Sequence, residues 1–212
     1  MSYDAICTAI KGHGEGIYNF GQSSFLKLVG DNREGICRGV CTAWLIAKKN
    51  GNDYLGEIVA PTMTTSLLHE QKTARQASDF QTEYLNVSGD TPDAPSDATV
   101  LALKNGGLGT LGERKAQTYQ GFADDGEPIG QRVLTSGYRY FILSIKGTLG
   151  GHSVAFYRPW VFFGKSSSCI FFDPNFGEFK LEGSEGVSLC LSAVATAYSQ
   201  GLSKGYRLWG FS

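Results

Sequence analysis

Glu34-Gly35-Ile36-Cys37-Arg38-Gly39-Val40-Cys41-Thr42-Ala43-Trp44-Leu45 changes character at its first cysteine. The polar run Asp31, Asn32, Arg33 and Glu34 with Gly35 signals a loop, whereas Ile36, Val40, Ala43 and Ala47 recur at helical spacing. This predicts a helix from Ile36 to about Lys49. Arg38, Thr42 and Lys49 fall on one side and apolar residues on the rest, so the helix is expected to be central and mostly buried. Cys37 then lies in the first turn, where unpaired backbone N–H groups and the positive end of the helix dipole favour a negative charge. Such surroundings help bring a thiol from about 8.5 toward the range of roughly 3.5 to 7.5 found in reactive cysteines. Cys41, one turn further along the same face, and Trp44 read as core. A thiolate that attacks an amide also needs an imidazole to carry protons and a third group to orient that imidazole. The rest of the chain must supply both.

Composition narrows the classes. A chain of 212 residues with 42% hydrophobic and 12% aromatic residues can fill one core, so residues 1–212 are expected to form a single domain. A formal net charge of −1 provides no basic field for nucleic acid and no cationic face for a membrane, which leaves binding to a cleft. The five cysteines, at positions 7, 37, 41, 169 and 190, are odd in number and lack a framework spacing, which argues for reduced thiols. No Cys/His pair elsewhere completes a tetrahedral set with Cys37 and Cys41, so neither a metal nor a cofactor is expected. Neither the pattern of a cleaved signal peptide nor an apolar run of about 18 residues is present, so no membrane span is expected.

Residues 1–34 interleave Gly12, Gly14, Gly16, Gly21 and Gly30 with Ile17, Tyr18, Phe20, Phe25, Leu26 and Leu28, and read as loops and short strands, with His13 an exposed loop histidine. Thr64 to Tyr84 is a polar helical segment carrying His69. Ser88 to Asp97, with Gly89, Pro92 and Pro95, is a break, and Ala98 to Lys104 is a short helix ended by Gly106 and Gly107. Leu108 to Pro128 reads as a surface loop in which Asp124 and Asp125 form a solvated turn. The character then changes. Tyr138 to Ile145, His152 to Tyr157 and Cys169 to Asp173 are β-rich runs divided by Gly and Ser turns, expected to form an antiparallel sheet. Val187 to Gln200 has helical spacing, and Tyr206 to Phe211 reads as a returning strand.

His152 opens one of these strands and Asp173 closes the next. The hairpin register that sets Tyr157 opposite Ser168 also sets His152 opposite Asp173, on one face with Cβ atoms about 5 Å apart, within reach of a carboxylate–imidazole hydrogen bond. Pro159 ends the first strand and leaves Arg158 to Ser167 as an extruded loop bearing Trp160, Val161, Phe162 and Phe163. A competing register runs the strand through Phe163 and breaks the pairing. Asp173 and Asn175 also read as an Asx turn, and Asn175 as an alternative orienting group.

Three separated motifs carry a resemblance: Gly35-Ile36-Cys37-Arg38-Gly39-Val40-Cys41-Thr42-Ala43-Trp44-Leu45, then Gly151-His152-Ser153-Val154-Ala155-Phe156-Tyr157-Arg158, then Phe171-Phe172-Asp173-Pro174-Asn175-Phe176-Gly177-Glu178-Phe179. In this order they resemble the YopT/AvrPphB family of bacterial effector cysteine proteases. The resemblance implies a papain-like α+β fold, with the nucleophile on a central helix packed against an antiparallel sheet that carries the histidine and aspartate. It implies Cys37 as nucleophile, His152 as base, Asp173 as orienting acid, and an oxyanion hole from Asn32 and the backbone of Cys37. Two departures stand out. Cys41 falls where the family commonly has serine, and the stretch between His152 and Asp173 is longer, which bears on a substrate cleft lined by Trp160, Phe162 and Phe163.

The implied activity is hydrolysis of a protein substrate in a target cell through a thioester intermediate. The chain would be made in the bacterial cytoplasm and then secreted or delivered without a cleaved signal peptide, with a cognate immunity or inhibitor protein as a further partner. Related scaffolds run glutamine deamidation, transglutamination and hydrolysis of cell-wall peptides with the same triad. Peptidoglycan amidases of the NlpC kind usually follow with a second histidine, which is absent here. A non-enzymatic binding module would leave Cys37 merely buried and unreactive.

Overall fold

A computed structural model describes residues 2–23, 36–59, 75–77, 79–80, 102–108, 125–146, 151–160, 166–198 and 205–212. Six strands, β1 (Gly14–Asn19), β2 (Tyr140–Lys146), β3 (Gly151–Tyr157), β4 (Ser168–Asp173), β5 (Gly177–Glu182) and β6 (Gly205–Phe211), form one sheet in the order β1-β5-β4-β3-β2-β6. Every neighbouring pair is antiparallel. Among the described residues five helices of six residues or more accompany it: α1 (Tyr3–Ala9), α2 (Cys37–Lys49), α3 (Tyr54–Val59), α4 (Gly126–Thr135) and α5 (Gly183–Tyr198).

Side-chain alternation along the strands builds a core on each face of the sheet. Phe141, Leu143 and Ile145 of β2, with Val154 and Phe156 of β3, pack under Ile6 of α1, Val133 of α4 and Val187, Leu191 and Val194 of α5. Tyr140, Ile142, Ala155, Phe172 and Trp209 face the other way, under Val40, Cys41, Trp44 and Leu45 of α2 and Leu55 of α3. The predicted helix at Cys37 is therefore sandwiched against the sheet, with Cys41 and Trp44 fully buried.

Four elements depart from the sequence reading, one of them α3, in a stretch to which it assigned nothing. Residues 3–9 are helical rather than loop, because the Ser2 hydroxyl accepts the Ala5 N–H at 3.3 Å and caps the first turn. The segment assigned as loop up to Pro128 already contains the start of α4. Proline is tolerated there because the first helical turn has no partner for that N–H. Gly126 and Gly130 lie one turn apart against Ser188 and Ser184 of α5, where a Cβ would collide, so the two helices pack closely. Arg158 then caps the far end of α4, donating to the carbonyls of Leu134 at 2.5 Å and Ser136 at 2.7 Å. Strand β5, absent from the sequence reading, begins after the Asp173 turn at Gly177. That residue has φ of +117°, and a side chain on it would strike the Tyr18 carbonyl.

The β3–β4 register is also corrected. Ala155 pairs with Phe172, Phe156 with Phe171 and Tyr157 with Ile170, two residues away from the register that pairs His152 with Asp173. A slip of two leaves every side chain on its expected face, which a slip of one does not. The predicted short helix before Gly106 appears at residues 102–105. His69 and most of the 64–84 segment lie outside the described residues.

Candidate active site

Helix α2 starts at Cys37 itself, with Ile36 as its N-cap. Ile36 offers no side-chain cap, and its N–H is instead taken by Oε1 of Gln22 at 2.9 Å. Three buried or part-buried contacts fix the helix on the sheet. Trp44 Nε1 donates to Glu178 Oε2 at 2.8 Å, and Lys48 Nζ donates to Glu178 Oε1 at 2.7 Å, while Arg38 Nη1 donates to Ser144 Oγ at 2.5 Å. Glu178 is 1% exposed, and α2 supplies two donors to its buried carboxylate.

The sheet opens where α2 meets it. Strands β3 and β4 pair only at residues 155–157 of β3, and the earlier part of β3 has no ladder to β4. The Ser153 peptide fills that opening with thiols: its carbonyl accepts the Cys41 S–H at 3.2 Å, and its N–H donates to the Cys37 sulfur.

His152 and Asp173 flank the same opening. Nε2 of His152 is 3.0 Å from Oδ1 of Asp173, and both residues are buried. Oδ1 also accepts the Asn175 N–H at 2.8 Å, which is the predicted Asx turn. With Nε2 facing the carboxylate, Nδ1 is left for Cys37, whose thiol hydrogen-bonds the imidazole. Cys37, His152 and Asp173 therefore form one hydrogen-bonded line. Asn175, the alternative orienting group, binds Tyr198 Oη at 2.6 Å through its side-chain amide, and has no direct bond to His152 among the described residues.

The electrostatics separate two thiols one turn apart. Packed surroundings push the Cys37 thiol up, but the hydrogen bond and charge of His152, the Ser153 N–H and the Arg38 charge together hold it below its ordinary value. Cys41 meets the same burial without a partner imidazole and is pushed well up, as is Cys190, while Cys169 rises to about 12. Burial opposes a charge on His152, yet the Asp173 carboxylate and the Cys37 contact raise it well above a free imidazole. Cys37 and His152 thus form a thiol–imidazole couple in which each group favours the charged form of the other.

Asn32, Phe162 and Phe163 lie outside the described residues. Trp160 is 72% exposed with the Arg139 guanidinium 5.8 Å from its ring centre. It follows Tyr157, at the end of β3 remote from His152, and the strand between them spans about 17 Å. His13, expected to be exposed, is 39% exposed with Nδ1 3.7 Å from Glu185. Among the described residues no group of three or more His, Cys, Asp and Glu is placed to hold a metal ion, and no helix is long and apolar enough to cross a membrane. Sequence reasoning missed Gln22, Ser153 and Tyr198. Only Tyr198 left a trace, a polar tip at the end of the apolar stripe Val187, Leu191, Val194.

A model of the peptidase C58 family, described as Yersinia/Haemophilus virulence surface antigen, matches residues 16–205. The cysteine protease YopT1 of Yersinia enterocolitica serotype O:8 / biotype 1B is 25% identical over 175 residues, which cover 74% of this chain and 49% of that protein. The chain thus spans about half the length of YopT1. Among solved structures, that of the Pseudomonas avirulence protein AvrPphB aligns at 19% identity over 85% of this chain and 93% of its own, with a TM-score of 0.59. The shared architecture is the expected papain-like α+β fold. The YopT domain of the Pasteurella multocida PfhB2 toxin aligns at 17% identity over 95% and 94% of the two chains, but its TM-score of 0.36 is too low to add to this.

Proposed function

The chain belongs to the peptidase C58 family, described as Yersinia/Haemophilus virulence surface antigen, and from that membership we propose that it is a cysteine endopeptidase acting on a protein substrate, with Cys37, His152 and Asp173 as its triad. The observation that carries this reading is the hydrogen-bonded line of the three residues, in which the thiol is held below its ordinary value while its neighbour Cys41 is pushed up.

The chemistry follows from the couple. The Cys37 thiolate attacks the scissile carbonyl carbon, and its electron pair forms the C–S bond while the carbonyl oxygen becomes an oxyanion. The Cys37 N–H and the Asn32 amide are assigned to that oxyanion, each such donor typically contributing about 2.7 to 4 kcal/mol. As the intermediate collapses, the C–N bond breaks and the imidazolium of His152 passes its proton to the leaving amine. Neutral His152 then takes a proton from water, whose oxygen attacks the thioester. The C–S bond breaks, releasing a carboxylic acid and restoring thiolate and imidazolium. Asp173 keeps the ring oriented and stabilises its charged form throughout.

The names of the family and of YopT1 and AvrPphB support a role as a bacterial virulence effector that leaves its producing cell, with its substrate in a target cell. The test is expression of the parent and Cys37→Ala in susceptible cells, followed by N-terminal labelling of new peptide ends. New ends that depend on Cys37 are expected. New glutamates without new ends would replace proteolysis by deamidation, and the same ends from Cys37→Ala would end the assignment.

A further inference from the structure

The opening between β3 and β4 leaves a mechanical problem. His152 and Asp173 stand on neighbouring strands at a point where no ladder joins those strands, so backbone pairing does not fix their relative position. A third element reaches them. Tyr198, the last residue of α5, places its hydroxyl 3.1 Å from His152 Nε2 and 3.2 Å and 3.4 Å from the two carboxylate oxygens of Asp173.

That hydroxyl is the end of a longer chain. It accepts Nδ2 of Asn175 at 2.6 Å, Asn175 Oδ1 accepts Nε2 of Gln22 at 2.6 Å, and Gln22 Oε1 accepts the Ile36 N–H at 2.9 Å. Ile36 immediately precedes Cys37. Donor counting orients every link. Gln22 uses its carbonyl on a backbone N–H and so donates its amide, and Asn175 does the same one step on. The phenol accepts from Asn175 and has one proton left, which goes to an ionised carboxylate that can only accept. Burial and the Asp173 charge both push the phenol upward, so it remains a donor. The imidazole ring lies 4.7 Å from the Tyr198 ring, and the Phe176 ring backs Tyr198 at 5.7 Å.

We propose that Tyr198 is a positioning residue that locks the His152 imidazole and the Asp173 carboxylate in one orientation relative to the mouth of α2, with Asn175 and Gln22 transmitting the alignment. This rests on the triad reading and extends it to a second circuit, from Ile36 through Gln22, Asn175 and Tyr198 to His152 and back to Cys37. Without the phenol proton the carboxylate and ring can turn about their own side-chain bonds, and the thiolate loses part of the imidazolium contact that sustains it.

The test needs no substrate. The whole chain, Tyr198→Phe, Asn175→Ala and the double variant are checked for native circular dichroism and alkylated with iodoacetamide from about pH 5 to pH 9, with Cys37 labelling read by mass spectrometry. Tyr198→Phe is expected to slow labelling near pH 6 by about 2- to 10-fold and to move the acid limb to higher pH. A residue that merely packs would lower Tm without moving that limb. Asn175→Ala shifts the limb in the same direction, and the double variant falls little below Tyr198→Phe because both break one chain. If Tyr198→Phe fails to fold, Asn175→Ala alone must still show the shift. A limb that superimposes on the parent's overturns the inference and leaves the triad untouched. A parent whose Cys37 shows no selective labelling below neutrality overturns the triad reading, and the inference with it.

Discussion

The imidazole of His152 and the carboxylate of Asp173 meet at 3.0 Å although they are not paired across the sheet, and the carboxylate is fully buried. Replacing that charge by an amide of the same shape isolates what the charge does. Against burial, which disfavours the imidazolium, the Asp173 charge is the principal force raising His152. Asp173→Asn should therefore fold, move the alkaline limb of activity to lower pH and slow turnover on the order of a hundred-fold or more. A pH–rate profile of the folded variant checks both.

The two shifts define a window. Cys37 is lowered, so its thiolate is present above that lowered value and lost as pH falls through it; His152 is raised, so its imidazolium persists upward and is lost as pH rises through the raised value. Activity should be bell-shaped, with its acid limb below the ordinary thiol value and its alkaline limb above the ordinary imidazole value. In His152→Ala burial acts on the thiol with far less opposition, and the labelling step of Cys37 should move up past its ordinary value. Iodoacetamide rates against pH show the displacement directly.

Cys41 donates its S–H to the Ser153 carbonyl and has no bond to His152 among the described residues. Serine retains a donor of similar shape there, so Cys41→Ser should leave Cys37 labelling within about twofold, whereas Cys41→Ala orphans the buried carbonyl and costs about 1–3 kcal/mol of stability. Peptide mapping should find label on Cys37 and none on Cys41 in the parent.

Glu178 joins β5 to α2 through Trp44 and Lys48, and the Lys48 and Glu178 side chains are 14% and 2% exposed. Glu178→Ala leaves an indole N–H and a buried ammonium without their acceptor, and should cost about 3–5 kcal/mol. Chemical denaturation measures it. Because the same contact seats the helix that begins at Cys37, Cys37 labelling at acid pH should weaken in parallel.

Much of this was legible before any coordinates. The helix at Cys37, the strands around Tyr140, His152 and Phe171, the helix through Val187 and Leu191, and the last strand all announce themselves by periodicity. The His152–Asp173 contact survived a register error because the error was an even number of residues. What stayed hidden has local causes. Pro128 masked the start of α4, and Ser2 was not read as a cap. In β5 the charged Glu178, Lys180 and Glu182 alternate with Phe179 and Leu181 and all read as solvated, whereas Glu178 faces inward to α2 and is buried. Gln22 acts through partners far off in the chain and nothing in its immediate neighbours signals it, while Tyr198 shows in the sequence only as a polar tip ending an apolar helical stripe.

The thiol and its principal activators are encoded far apart: Cys37 comes early, whereas His152, Ser153 and Asp173 follow more than a hundred residues later. A chain still emerging from the ribosome therefore carries an ordinary, sluggish sulfhydryl until its later strands arrive and close around it. Synthesis order itself delays the appearance of an activated thiol, and a fragment truncated before β3 would lack the imidazole and carboxylate that activate it.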